Sequence, residues 1–99
     1  SAKLGVRVGT TTPEIRSQFS IPQNVSGAVV VDVEPGSVGE KLGLKAGDVV
    51  MQLGSKTIRS AEDLTAAMKG LKWGDSSRIK FGRYGANSTA IQDTTVVFN

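Results

Sequence analysis

The segment that most constrains the fold runs from residue 33 to residue 53 and reads VEPGSVGEKLGLKAGDVVMQL. Two aliphatic segments flank or end it, Ala28–Val33 and Val49–Leu53, and each predicts a strand. Pro35-Gly36 closes the first strand, because proline cannot continue a strand ladder and glycine accepts turn geometries that other residues avoid. The connection between the two strands is therefore expected to be a compact series of turns.

The residues inside this connection predict a short helical turn followed by a second tight turn. Ser37 is expected to cap a helical turn that extends through Lys41, since its hydroxyl can accept a backbone N–H at the start of the turn. Gly43 follows as the left-handed residue that ends the turn. Leu44 is expected to enter the core, and residues 45–48 form the tight turn that begins the next strand.

The order Gly-Leu-x-x-Gly-Asp with two aliphatic residues after it, in residues 43–50, resembles the signature loop of a PDZ domain. It is most similar to the form of the domain found behind the protease modules of bacterial HtrA and DegP serine proteases. The resemblance extends over residues 4–98 and implies an α+β fold that is mainly β with two helices. The expected architecture is a partly open antiparallel β-sandwich or barrel of five or six strands in the permuted, HtrA-type topology. We expect residues 1–99 to be one such domain of a longer protein.

Composition narrows the chemistry that the chain itself can perform. Its 99 residues contain no cysteine and no histidine, which removes thiol nucleophiles, the usual general base and the commonest metal ligands. The chain is therefore not expected to be an enzyme by itself, and no cofactor or metal is expected. The longest apolar run, residues 28–31, is far shorter than the roughly 20 residues of a membrane-spanning helix, so no direct membrane insertion is expected.

The first strand is predicted at residues 3–8, KLGVRV, which alternate polar and apolar side chains around a glycine. In HtrA-type PDZ domains an aliphatic-Gly-aliphatic tripeptide at this place is the carboxylate-binding loop. Leu4-Gly5-Val6 matches it and is called the carboxylate loop below. A glycine lets successive backbone N–H groups converge on the terminal carboxylate of a peptide. An ordinary edge strand with a flexible start explains the same pattern, and that alternative stays open.

The best-defined helix is predicted over Ala61–Lys69, where Ser60 can cap the first turn. Leu64 shares one face with other large apolar residues, and this face is assigned to the core. By resemblance to PDZ domains, a neighbouring face lines a peptide groove against the first strand. Its members are Ala61, Thr65 and Met68. The alternative for Met68 is an ordinary place in the core.

The remaining elements are a helix over Pro13–Phe19 and two strands near the C-terminus, at residues 77–83 and 89–98. In the last strand, Thr94, Val96 and Phe98 are expected to point to one face. Ile91 lies out of phase with them, which predicts a β-bulge near Asp93.

The resemblance implies that the domain binds peptides or unfolded protein segments with apolar C-termini, and that it sometimes accepts internal segments, by β-strand addition. Ala61 stands where other PDZ domains carry a histidine that selects a polar residue, so an apolar residue is expected two places before the terminus. The implied parent is a serine endopeptidase of the periplasm or cell envelope, in which the domain captures substrates or regulates activity, and the parent can be a homo-oligomer. The expected peptide-contacting residues are Lys3, Leu4, Gly5, Val6, Arg7, Val8, Ala61, Thr65 and Met68.

Two other functions are compatible with the pattern. Similar domains serve as adaptors in intramembrane proteases and secretion machinery. The net charge of +3 also allows a nucleic-acid site, although the charge is small and few aromatic residues are interleaved with the basic ones, so no nucleic-acid partner is expected. Its candidate residues are Lys69, Lys72, Arg78, Lys80 and Arg83.

Overall fold

A computed structural model describes residues 4–85 and 88–98 of the chain. These residues form six strands and three helices. In chain order they are β1 (Val6–Thr10), α1 (Pro13–Phe19), β2 (Ala28–Val33), α2 (Val38–Leu42), β3 (Val49–Leu53), β4 (Lys56–Thr57), α3 (Ala61–Lys69), β5 (Ser76–Tyr84) and β6 (Thr89–Val97).

The strands form one antiparallel sheet in the order β1-β2-β3-β5-β6, with the short β4 paired to β3. The two ends of this order are β1 and β6, so the sheet is open. The predicted class, mainly β with helices packed on an antiparallel sheet of five or six strands, is confirmed. In addition to the two predicted helices, the structure contains α2, which is the short helical turn predicted inside the connection between β2 and β3.

The central strands β2 and β3 are buried on both faces where they pair. Val30 and Val50 belong to the main core beneath α3, whereas Val29 and Val49 belong to a smaller cluster that packs against α1 on the opposite face. Alternating side chains therefore enter two different apolar clusters, which explains the uninterrupted aliphatic sequence. The second half of β2 leaves this environment, and Asp32 is exposed.

The connection between β2 and β3 adopts the predicted turns. The Ser37 hydroxyl accepts a hydrogen bond from the Glu40 N–H at 3.2 Å and caps α2. Gly43 ends the helix with a left-handed φ of 99°, a conformation that side chains disfavour. Leu44 is buried, as the sequence predicts. The Ser37 cap and the Gly43 stop thus determine the conformation of the connection, which forms hydrogen bonds to Leu4 and Gly5.

A buried ion pair fastens this connection to β5. The Asp48 carboxylate is fully buried, and Arg83 donates to both of its oxygens, from Nε to Oδ1 and from Nη2 to Oδ2, each at 2.8 Å. Arg83 also donates to the Gly43 carbonyl at 2.8 Å, and the Lys45 N–H donates to Asp48 Oδ2 at 2.9 Å. The hydrogen bond to Asp48 raises the pKa of the Arg83 guanidinium, against an opposing effect of burial. Arg83 therefore has a structural partner and is not a free surface cation.

The pairing of β5 with β6 shows that the predicted bulge near Asp93 is wrong. The register is continuous along the whole ladder, and Ile91 lies opposite Gly82. The Ile91 side chain is exposed, so it is an apolar residue on the outer face of a regular strand. The β1–β2 ladder does contain a register shift, between Arg7 and Val8.

Candidate peptide-binding groove

A groove of about 550 Å³ separates β1 from α3. Within the described residues, β1 stands at the end of the strand order and pairs with β2, while α3 lies along its other side. The Ala61 N–H donates to Thr10 Oγ1 at 3.4 Å, which fixes the start of α3 beside the end of β1. The groove is lined by Val6, Arg7, Val8, Ala61, Glu62, Thr65, Ala66 and Lys69. Its volume is in the range of about 300–1,000 Å³ that is usual for ligand sites.

The carboxylate loop precedes β1 and is held in place by the connection between β2 and β3. The Leu4 carbonyl accepts from the Gly39 N–H at 2.7 Å, and the Gly5 carbonyl accepts from the Glu34 N–H at 2.9 Å. Gly5 has a left-handed φ of 74°, and a Cβ at this position would collide with the Ser37 side chain. A glycine is therefore required here both by backbone conformation and by space.

The predicted residues of β1 and the carboxylate loop differ in their environments. Arg7 is exposed and Val8 is half-buried, and both line the groove. Val6 is buried and also contributes to the lining. Leu4 and Gly5 are buried beside the groove but are not among its lining residues. Their contact with a peptide stays a prediction, and Lys3 lies outside the described residues.

The two faces of α3 meet different surroundings, and Met68 takes the core position that the sequence leaves open as its alternative, while its contact with a peptide stays a prediction. Met68 is only 4% exposed and packs in the main core with Leu64. Residues four apart on a helix are separated by about 40° around its axis, so Met68 follows Leu64 into the core. Ala61 and Thr65 do line the groove.

Three further residues of α3 line the groove without having been predicted from the sequence: Glu62, Ala66 and Lys69. The spacing of four residues that joins Ala61 and Thr65 also reaches Lys69, so helical periodicity alone would have identified it. Glu62 and Ala66 lie on the adjacent row of the same face. The side chains at the centre of the groove side of α3 are thus small and weakly polar, and a charged side chain lies toward each end.

The five basic residues considered for nucleic-acid binding do not share one environment. Arg83 is bound to Asp48, and Arg78 forms an ion pair with Asp93 at 2.9 Å. Lys69 lies in the peptide groove. Two of the five cations are thus partly neutralised by carboxylates, which weakens the case for a continuous basic surface.

Residues 4–85 and 88–98 contain neither a metal-binding cluster nor a membrane-spanning helix. No cluster of three or more acidic side chains there is arranged to hold a metal ion. None of the helices in the same residues has the length and apolar character needed to cross a bilayer.

The contact of α2 with the carboxylate loop predicts the effect of Gly39→Ala. Alanine usually stabilises a helix relative to glycine, but a Cβ here would lie 2.6 Å from Val6 Cγ1 and 2.9 Å from the Leu4 carbonyl oxygen. We expect the overpacked contact to lower the free energy of unfolding by about 1–2 kcal/mol and to displace the carboxylate loop. Urea denaturation would measure the change.

Gly70→Ala provides the matched control for Gly39→Ala. Gly70 ends α3 with a φ of −83°, and among the described residues a Cβ there would meet only the Ala67 carbonyl oxygen, at 3.9 Å. Its substitution should change stability by no more than about 0.5 kcal/mol. Equal effects of the two substitutions would show that the contact between α2 and the carboxylate loop is not tight.

The amino-acid sequence matches a known protein family. The family described as the PDZ domain matches residues 2–93 of the chain. A probable periplasmic serine endoprotease DegP-like of Rhizobium meliloti (strain 1021) is 33% identical over 86 residues, which are 87% of this chain and 17% of that protein. The serine protease Do-like HtrA of Lactococcus lactis subsp. lactis (strain IL1403) is 36% identical over 75 residues, 75% of this chain and 18% of that protein. The chain thus spans less than a fifth of the length of these relatives.

Solved structures share the fold. The HtrA-type protease AlgW with a decapeptide has a TM-score of 0.75 and 20% identity, over 97% of this chain and 29% of that one. The HtrA3 PDZ domain bound to the phage-derived ligand FGRWV has a TM-score of 0.64 and 21% identity, over 94% of this chain and 85% of that one. The chain therefore belongs to the PDZ domain family, and the relatives described above are serine proteases of the HtrA and DegP type.

Proposed function

We propose that the domain binds peptides and unfolded protein segments by adding them as a strand beside β1, with an apolar C-terminus at the carboxylate loop. The observation that carries this proposal is the groove between an edge strand of the sheet and α3. An extended peptide in this groove gains main-chain hydrogen bonds from the sheet edge and side-chain contacts from the helix. Main-chain bonds supply affinity for many sequences, whereas the lining supplies selection.

The lining favours small to medium apolar side chains on the ligand. Val6 and Val8 offer aliphatic surface on one wall, and Ala61 and Thr65 form the opposite wall. At the start of α3, Ala61 has no side-chain donor, so the ligand residue beside it gains more from apolar contact than from a hydroxyl. We therefore propose an apolar residue both at the terminus and two places before it.

Two cations support placing the ligand carboxylate at the end of the groove near the carboxylate loop. Arg7 follows this loop directly, and Lys69 is the last residue of α3. Both are exposed and line the groove. Exposed charges contribute only about 0.2–1 kcal/mol each, so they favour a terminal carboxylate rather than determine binding.

For the parent protein, we propose an HtrA- or DegP-like serine protease of the periplasm or cell envelope, in which this domain captures substrates or regulates activity. The support is the identity of 33–36% to proteases with these names. The parent can be a homo-oligomer. Catalysis would then belong to a different part of the parent chain.

Amidation of the ligand tests the proposed carboxylate site. An apolar-ended peptide should bind about ten- to a hundredfold more weakly as the C-terminal amide than as the free acid, because a charge-assisted hydrogen bond is lost and the loop N–H groups lose their acceptor. Isothermal titration calorimetry of the two peptides, which are identical apart from this group, measures the ratio. An inverted peptide sequence with a free carboxylate controls for non-specific attraction to the basic domain.

Equal affinities of the acid and amide would contradict a terminal carboxylate site. Binding of both forms would then indicate that internal segments occupy the groove. Failure of both to bind, while the domain remains folded by circular dichroism, would contradict the proposed peptide-binding function.

A further inference from the structure

Two charged residues of opposite sign stand toward the two ends of the groove on α3. Glu62 is in the first turn and Lys69 is the last residue, and both are exposed lining residues. The hydrogen bond from Ala61 N to Thr10 Oγ1 places the first turn of α3 beside the end of β1. Because α3 starts beside the end of β1 and both elements line the same groove, the helix runs back toward the start of β1, which adjoins the carboxylate loop. The groove is therefore electrostatically polar along its length.

The spacing of these charges matches a specific separation along an extended ligand. Seven residues of α-helix rise about 10.5 Å, and an antiparallel strand advances about 3.4 Å per residue, so roughly three ligand residues separate Lys69 from Glu62. Helical side chains lean toward the N-terminus of their helix, so both side chains are displaced away from the carboxylate loop while their separation stays the same. Glu62 is thus expected beside a ligand residue three or four places before the terminus.

The alternation of side chains along β1 distinguishes the ligand position three places before the terminus from the position four places before it. Val6 and Val8 pack in or against the core beneath α3, and Thr10 bonds to the start of that helix, so these three residues face α3. Residues directly opposite one another in an antiparallel pair point to the same face of the sheet. If the terminal ligand residue lies opposite Val6, the residue two places earlier lies opposite Val8 and faces the wall formed by Ala61 and Thr65. The residue four places earlier then lies opposite Thr10 and faces the first turn of α3, in which Glu62 is the charged lining residue.

We propose that Glu62 selects a lysine or arginine four places before the C-terminus of the ligand, an inference that rests on the proposed addition of peptides beside β1. A glutamate or aspartate at the same place is disfavoured by repulsion. The ligand class is accordingly a peptide with a free apolar C-terminus and a basic residue at its fifth position from the end. Arg7 and Lys69 contribute the complementary preference for negative charge at the terminus.

The local field at the start of α3 decides how strong this selection can be. The helix dipole places a partial positive charge there, which opposes a ligand cation. Glu62 is the carboxylate of this first turn that lines the groove, and its full negative charge exceeds the partial charge of the dipole, whereas Asp63 is not a lining residue and accepts from the Arg59 N–H at 2.9 Å. A side chain opposite Thr10 therefore meets a net negative environment, although an exposed one that salt screens.

A set of three peptides and three proteins tests the proposal. The peptides are free acids of one apolar-ended sequence with lysine, alanine or glutamate four places before the terminus. The proteins are the wild-type domain, Glu62→Lys and the control Glu14→Lys. Glu14 matches Glu62 because it is exposed and occupies the second position of a helix, but α1 does not line the groove. Fluorescence anisotropy measures the nine affinities at low and again at high ionic strength.

The wild-type domain should bind the lysine peptide about three- to tenfold more tightly than the glutamate peptide at low salt, with a smaller ratio at high salt. Glu62→Lys should reverse the order, and Glu14→Lys should preserve it. Equal binding of the lysine and glutamate peptides by the wild-type domain would overturn the proposed selection, while binding of the alanine peptide would leave the peptide-binding function intact. Failure of the alanine peptide to bind any of the three folded proteins would overturn both.

Discussion

Replacing Arg83 by methionine should lower the free energy of unfolding by about 3 kcal/mol, because it leaves the buried Asp48 carboxylate without its cationic partner. Removing one member of a buried ion pair commonly costs about 3–5 kcal/mol. The lower end applies here because the Arg83 side chain is 47% exposed, so water can reach the site that methionine vacates. Urea denaturation followed by circular dichroism measures the loss.

Arg78→Met is the matched control for Arg83→Met. Arg78 lies in the same strand and also pairs with an aspartate, but Asp93 is 54% exposed. An exposed pair is worth about 0–1 kcal/mol, so this substitution should have a small effect. Similar losses for the two variants would mean that burial of Asp48 does not determine the contribution of the pair.

Truncating Met68 to alanine should lower the free energy of unfolding by about 2–4 kcal/mol, because the side chain lies in the main core. Leu64→Ala should have a comparable effect, since both side chains enter the core from one face of α3. Chemical denaturation of the two variants measures this directly. Peptide affinity of the folded fraction should change less than the stability does.

The control on the opposite face of α3 is Thr65→Ala. Thr65 is exposed in the groove, and its hydroxyl donates to the Ala61 carbonyl at 3.1 Å. Its loss should alter stability by about 0.5 kcal/mol or less. A Met68→Ala variant as stable as Thr65→Ala would contradict the assignment of Met68 to the core.

The elements that could be predicted from the sequence are those set by short-range patterns. Strand β2 was predicted from its aliphatic run. Helix α2 was predicted from its capping serine and the glycine that ends it. The bounds of α1 and α3 also agree with the sequence because Thr12 and Ser60 cap them with their own side-chain oxygens. Local hydrogen bonding and periodicity were sufficient for these elements.

The groove face of α3 could not be fixed in the same way. Met68 lies between the core and groove directions on the helix, and its apolar character fits either of them. Only the position of the sheet decides that Met68 joins Leu64 in the core. Glu62 was not predicted as a groove residue for a different reason. An acidic residue in the first turn of a helix is favoured by the helix dipole, so its presence there does not by itself indicate a binding site.

Long-range pairing was beyond the reach of sequence patterns. Asp48 and Arg83 are 35 residues apart, and nothing in the local sequence of either indicates the other. The strand phase of Ile91 was misread for a related reason. An exposed apolar residue on an edge strand looks like an interruption of the alternation unless the register with β5 is known.

The structure also relates the turns of the signature segment, residues 33–53, to the groove. The connection between β2 and β3 contains no lining residue of the groove, yet Gly39 and Glu34 hold the carbonyls of the carboxylate loop. Ser37 occupies the space beside Gly5. The segment that most constrains the fold therefore also determines the shape of the proposed carboxylate site.

Amide hydrogen exchange of the ¹⁵N-labelled domain, with and without a free-acid apolar peptide, tests strand addition beside β1 most directly. In an antiparallel ladder alternate residues point their N–H groups to one side, so binding should slow exchange at every second amide between Arg7 and Thr10. Resonances of Thr65 and Ala66 should shift in the same titration. A saturating peptide that leaves exchange in β1 unchanged, or that protects the β6 edge instead, would contradict the proposed binding mode.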